Sequence, residues 1–238
     1  MLIAANFKTF KTRQETLDYY RDVKAFVETK GITVDSMIFP PATAFNHFRG
    51  PTVVGTQNAY AVENGAFTGE IGLNQLKEFA IKTILIGHSE RRHILGETQE
   101  MMLQKFNFYK ELGFTIVYCI GEPLEVREEG SEALMQYLDD QLDGIDLNYE
   151  NLVIAYEPVW AIGTGITPST GEVELIHTAL RQKIKAPILY GGSVKVNNAK
   201  ELLSLNNVDG ALIGSGALQV ENYCTILSIA ESIENENA

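Results

Sequence analysis

Two stretches near the C-terminus decide the reading: Ile188-Leu189-Tyr190-Gly191-Gly192-Ser193 and Gly210-Ala211-Leu212-Ile213-Gly214-Ser215-Gly216. Each is a short apolar run that ends in glycines and leads into a stretch with helical periodicity. Glycines at such a junction let backbone N–H groups approach an anion at a helix N-terminus. One such turn is weak evidence, but two on successive units are much stronger. The same alternation recurs back along the chain. Strands are expected at Leu2–Ala5, Thr33–Phe39, Thr52–Thr56, Thr83–Ile86, Thr115–Ile120, Leu152–Tyr156, Ile188–Tyr190 and Gly210–Ile213. Most are apolar throughout, the pattern of parallel strands covered on both faces. Helices are expected at Gln14–Thr29, Ala42–Phe48, Gln75–Phe79, Thr98–Leu112, Ser131–Leu142, Thr170–Lys185, Asn197–Leu203 and Ala217–Ile233. Thr12 with Glu15, and Ser169 with Glu172, fit the reciprocal N-cap pattern.

The spacing gives roughly 30 residues per strand–helix unit, the size of a βαβ element. Two architectures are built from such units, an open doubly wound sheet and a closed (β/α)8 barrel. The open sheet usually carries a Gly-rich fingerprint after its first strand, and here that strand runs into Asn6-Phe7-Lys8. The glycines come instead after the seventh and eighth strands, where barrels bind phosphate. The expectation is an α/β fold, a single barrel domain over 1–238.

Composition bounds the function. Of 238 residues 45% are hydrophobic and 21% charged, an ordinary globular balance. The net charge is −12. Nucleic acid and anionic membranes both need a basic surface, so neither is an expected partner. An anionic metabolite would also be repelled unless its pocket were locally positive. Cys119 and Cys224 lie far apart with no paired spacing, which reads as reduced, buried thiols of a cytoplasmic protein. The N-terminal apolar run is too short for a signal segment, and no run approaches the roughly 20 residues of a membrane span.

Residues just after the C-terminal ends of the strands face the site of either architecture. Asn6 and Lys8 follow the first strand, and their side chains share one side. Gly87-His88-Ser89-Glu90-Arg91-Arg92 follows the fourth. Ser89 can cap a short helix there, which places His88 by a positive helix end that disfavours an imidazolium. His47, His93 and His177 fall in helical stretches and read as surface residues. Glu157 ends an apolar run, a poor place for a carboxylate without a task. After it, Pro158-Val159-Trp160-Ala161-Ile162-Gly163-Thr164-Gly165 has a proline at one end and glycines at the other, with the only Trp between. That composition suits a lid moving between two hinges. Cys119 has no histidine near it in sequence and reads as a packed thiol.

These stretches, with Gly55-Thr56-Gln57-Asn58, Gly65-Ala66-Phe67-Thr68-Gly69-Glu70-Ile71 and Cys119-Ile120-Gly121-Glu122, resemble the triosephosphate isomerase family over essentially the whole chain. The resemblance implies a TIM barrel that interconverts dihydroxyacetone phosphate and D-glyceraldehyde 3-phosphate through an enediolate, in glycolysis and gluconeogenesis. It implies Glu157 as general base, a neutral His88 shuttling protons between the oxygens, and Lys8 and Asn6 on the developing charge. Glu90 would orient Lys8. Backbone N–H groups of Gly163, Ser193, Gly214 and Ser215 would hold the phosphate. Phe67 and Thr68 would lie on a dimer arm, so a homodimer is implied. No metal or cofactor is expected, since a carboxylate can remove a carbonyl-adjacent proton once the enediolate is stabilised. The rivals are another sugar-phosphate isomerase or lyase on the same barrel, and a barrel that binds a phosphorylated metabolite without turning it over.

The chain departs from the family pattern at four places: Phe7 for a Trp, Ile166 for a Lys, Ser215 for a Gly, and Pro168 at a lid position whose N–H meets the tyrosine matched by Tyr190. Proline has no N–H to give. Lid closure is therefore expected to lean on Ser193, bonding the lid backbone near Gly165.

Overall fold

The computed structural model describes residues 1–162 and 168–237. Eight parallel strands alternate with helices. In chain order they are β1 (Leu2–Asn6), α1 (Arg13–Lys30), β2 (Asp35–Phe39), β3 (Val53–Val54), α2 (Leu73–Glu78), β4 (Thr83–Ile86), α3 (Ser89–His93), α4 (Gln99–Glu111), β5 (Thr115–Ile120), α5 (Leu124–Glu128), α6 (Ser131–Leu142), β6 (Leu152–Tyr156), α7 (Thr170–Arg181), β7 (Ile188–Tyr190), α8 (Val196–Leu203), β8 (Gly210–Ile213) and α9 (Val220–Asn237). The strands form one sheet in the order β3-β2-β1-β8-β7-β6-β5-β4. A parallel bridge from Thr56 to Ile84 joins its two ends, with Thr56 N–H donating to Thr83 O at 2.8 Å. The result is a (β/α)8 barrel.

Strand alternation divides the apolar residues into two cores. Leu2, Ala4, Met37, Phe39, Leu85, Val117, Cys119, Val153, Ala155, Leu189 and Leu212 fill the barrel interior. Their neighbours, such as Ile3, Ile38, Ile84, Ile116, Ile154 and Ile188, pack outward beneath the helices. Both expected reciprocal caps form, Thr12 with Glu15 and Ser169 with Glu172.

The differences from the sequence reading are local. The stretch at Ala42–Phe48 yields only one 3-10 turn, Ala42–Ala44, entered through Pro41. Another 3-10 turn, Ser215–Ala217, precedes α9, which starts at Val220 instead of Ala217. Helix α5 is five residues long, too short to show a helical period. His177 corrects the expectation of a surface residue. It is 0% exposed, packed between α7 and the outer wall of the barrel, and its Nδ1 lies 2.9 Å from Asn207 O. The apolar face of α7 carries it inward between the Tyr156 and Tyr190 rings.

Burial pushes the His177 ring from its ordinary 6.5 down to about 4. Between those values the unfolded chain binds a proton that the native state does not. Stability therefore falls as pH drops from about 6.5 toward 4, by a limit of about 3 kcal/mol from this group. His177→Gln should flatten the dependence of Tm on pH across that window. Equal slopes in the variant and the parent would contradict the assignment.

Candidate active site

The site grows from the same alternation. Leu2 and Ala4 point into the barrel, and Asn6 continues that row at the C-terminal mouth; Val153 and Ala155 do the same for Glu157. Glycine takes the next inward position on the strands flanking β6. A β-carbon at Gly121 would lie 1.7 Å from Glu157 O, and one at Gly191 would lie 2.7 Å from Glu157 Cγ. Larger residues there would expel the glutamate from its seat.

Glu157 is 2% exposed. Its Oε2 accepts the Ser89 N–H at 2.9 Å, and its Oε1 lies 3.1 Å from His88 Nε2. His88 itself is the N-cap of α3, and Ser89 is the first helical residue, a shift of one from the expected cap. The His88 Nδ1 accepts the Glu90 N–H at 3.2 Å. A nitrogen that accepts carries no proton, so the ring's proton sits on Nε2, facing the glutamate.

Lys8 has φ 49°, a strained left-handed geometry for a residue with a β-carbon. The backbone around it is pinned. Lys8 N–H donates to Asn6 Oδ1 at 3.0 Å, and Gln57 Nε2 donates to Lys8 O at 2.7 Å and Phe39 O at 2.9 Å. Gln57 was quoted in the sequence motif without a role, and only the fold gives it one. Lys8 Nζ reaches Glu90 Oε1 at 2.6 Å. Of the two arginines that end the Gly87–Arg92 stretch, Arg92 braces the loop by donating to Gly87 O at 2.8 Å and Cys119 O at 3.0 Å. Arg91 turns away to Glu97.

Asn6, Lys8, His88, Glu90, Glu157, Ser193, Gly214 and Ser215 line a cavity of about 200 Å³. A larger depression of about 930 Å³ lies at the opposite end, around Asp35 and Thr115. Two ion pairs lie along it, Arg181 with Asp209 and the Met1 ammonium with Glu234. Among the described residues no three His, Cys, Asp or Glu side chains gather into a metal-binding set.

The segment after Glu157 forms a 3-10 turn, Val159–Ala161. Trp160 Nε1 donates to Glu122 Oε1 at 2.9 Å, and Tyr156 Oη donates to the same oxygen at 3.1 Å. Burial pushes the Glu122 carboxyl up, against the pull of those donors and Arg127. Gly163, Thr164 and Gly165 of the expected lid, with Ile166, lie outside the described residues. Ser193 Oγ donates to Ala161 O at 3.1 Å, earlier in the segment than the expected partner near Gly165. Among the described residues the buried Tyr190 Oη has no hydrogen-bond partner. Phe7 is fully buried, edge-on to Tyr19. Cys119 is buried too, and burial pushes its thiol up, with Glu157 adding to the effect.

A carboxylate facing an imidazole and a lysine across one small cavity can move a proton between neighbouring carbons and stabilise the charge that results. Comparison with known proteins points to the same chemistry. Residues 1–230 match the triosephosphate isomerase family model. Proteins named triosephosphate isomerase are similar over nearly full length. That of Sulfurimonas denitrificans is 55% identical, covering 100% of this chain and 99% of its own. That of Nitratiruptor sp. is 52% identical, covering 98% and 100%. With this barrel, this constellation at its mouth and this similarity along its length, the chain belongs to the triosephosphate isomerase family.

Proposed function

We propose how the pocket carries out the family's reaction, the interconversion of dihydroxyacetone phosphate and D-glyceraldehyde 3-phosphate. Glu157 takes a proton from the carbon beside the carbonyl and returns it to the neighbouring carbon. His88, protonated on Nε2, moves protons between the two oxygens. Lys8 and Asn6 stabilise the enediolate, with Glu90 positioning the lysine. The phosphate rests on backbone N–H groups of Ser193, Gly214 and Ser215, and of Gly163. The observation that carries this reading is Glu157, buried yet held by one N–H and one ring N–H, on a cavity that Lys8 also lines. The enzyme is an intramolecular aldose–ketose isomerase, and its step belongs to glycolysis and gluconeogenesis.

The segment Pro158–Gly165 serves as the lid, and Ser193 secures its first half through Ala161 O. The chain works as one domain, in the cytoplasm, and as a homodimer. Support for the dimer comes from large apolar side chains left in solvent on the loops around the site. Phe10 follows Lys8, and Ile94 and Leu95 follow the helix that carries His88; Ile94 is 76% exposed. Phe67 stands out of the arm that also holds Thr68. Groups of this kind on a chain of this charge point to a second copy. For the membrane, no helix among the described residues is long and apolar enough to cross one.

Glu157→Asp shortens the arm by one methylene and should lower kcat roughly 100-fold or more with KM little changed, because positioning is lost. A kcat near the parent's would contradict the base assignment. Ser193→Ala should lower kcat/KM several-fold. Tyr190→Phe should change it by less than about twofold, since among the described residues its hydroxyl has no bond to lose. The reverse ranking would contradict the latch. Sedimentation should show a dimer at micromolar concentration, and a fully active monomer would refute it.

A further inference from the structure

We propose that Lys195 is the charge that draws the doubly negative substrate into the pocket. The inference rests on the phosphate end of the cavity lying at Ser193, Gly214 and Ser215, as proposed above. The chain carries a net charge of −12, so its overall field opposes the approach of a phosphate ester. Lys8 and Lys195 are the two ammonium groups among the described residues lining the cavity. Lys8 is bound to Glu90 at 2.6 Å, so it presents little free charge to the outside. Counting the lining, Lys8 against Glu90 and Glu157 leaves 1 − 2 = −1, and Lys195 brings the sum to zero. Without Lys195 the mouth itself would repel the ligand.

The position of Lys195 fits that task. Asn198 on α8 ties the loop at two points: its Oδ1 accepts the Lys195 N–H at 2.7 Å, and its Nδ2 donates to Ser193 O at 2.9 Å. The lysine backbone is thus fixed to the same brace as the phosphate-facing Ser193. The side chain is exposed on the rim, and among the described residues no carboxylate holds its ammonium. A free charge at the rim acts on the approaching dianion more than on the reacting carbons. Its effect belongs in kcat/KM, and salt screens it, with a Debye length of about 10 Å at 0.1 M.

The test compares Lys195→Met, Lys195→Glu and Lys195→Arg with the parent over a range of ionic strength, using triose phosphate as substrate and inorganic phosphate as competitor. At low salt, Lys195→Met should lower kcat/KM about three- to tenfold and weaken inhibition by phosphate, with kcat within about twofold. Lys195→Glu should lose more, and Lys195→Arg should restore the parent's values. The parent's fall of kcat/KM with salt should flatten in Lys195→Met, and the curves should converge near 1 M salt. An unchanged salt slope in Lys195→Met would overturn the inference. So would a loss of kcat that persists at high salt or in Lys195→Arg, which would mark a packing role. Failure of inorganic phosphate to inhibit the parent would overturn the phosphate site, and this inference with it.

Discussion

The two-residue alternation of side chains along the parallel strands is the constraint on which the rest depends. It sends Ala4 and Ala155 into the barrel and, one step on, Asn6 and Glu157 to its mouth. A slip of one residue in β6 would turn Glu157 out toward the helices and put Tyr156 in its place. The register that prevents this is held on both sides: β6 pairs Ile120 with Tyr156 on one edge and Tyr156 with Tyr190 on the other. The two flanking strands then step back to glycine, at Gly121 and Gly191, and leave the glutamate its seat. Catalytic geometry here is a continuation of barrel geometry.

Charge is the second constraint. A buried carboxylate costs several kcal/mol unless donors meet it, and removing one partner of a buried pair is costlier than replacing both. Each buried acid near the site meets that condition. Glu157 has the Ser89 N–H and His88; Glu122 has Tyr156, Trp160 and Arg127. Glu97 has Arg91 and Lys105, and Lys105 also reaches Asn58 at 2.8 Å. The last network ties α3 to α4 and to the chain after β3, so the helix that caps itself with His88 is anchored from below. The negative surplus of the chain is left outside, where Lys195 meets the incoming ligand.

Much of this was legible in the sequence. All eight strands were, most of them because buried parallel strands are unbroken apolar runs, although β3 shrinks to the partly exposed Val53–Val54; so were the two reciprocal caps, because they are set by residues three apart. Asn6, His88 and Glu157 stood out as polar residues at strand ends. What escaped was set by tertiary context. His177 looks like any polar residue on a helix until α7 turns it inward against the barrel wall. Gln57 holds Lys8 through contacts that join β2 and the turn after β3 to the turn after β1, which no local pattern shows. The cap at His88 was misplaced to Ser89 because serine is a favoured cap residue and histidine is not, and only the Glu90 N–H accepted by the ring shows which of them caps. Lys195 carried no signal as a single exposed lysine. Its meaning comes from the charge sum of a cavity assembled from five strands.

The central claim is that a carboxylate carries the proton between carbons, and isomerisation in D2O tests it most directly. A proton held on Glu157 at a cavity open to water exchanges with solvent before it is returned. The product should carry deuterium at the carbon next to the carbonyl, read by NMR, with the exchange lost together with turnover in Glu157→Gln. Product formed at the full rate with no deuterium at that carbon would show a direct hydride shift and would contradict it.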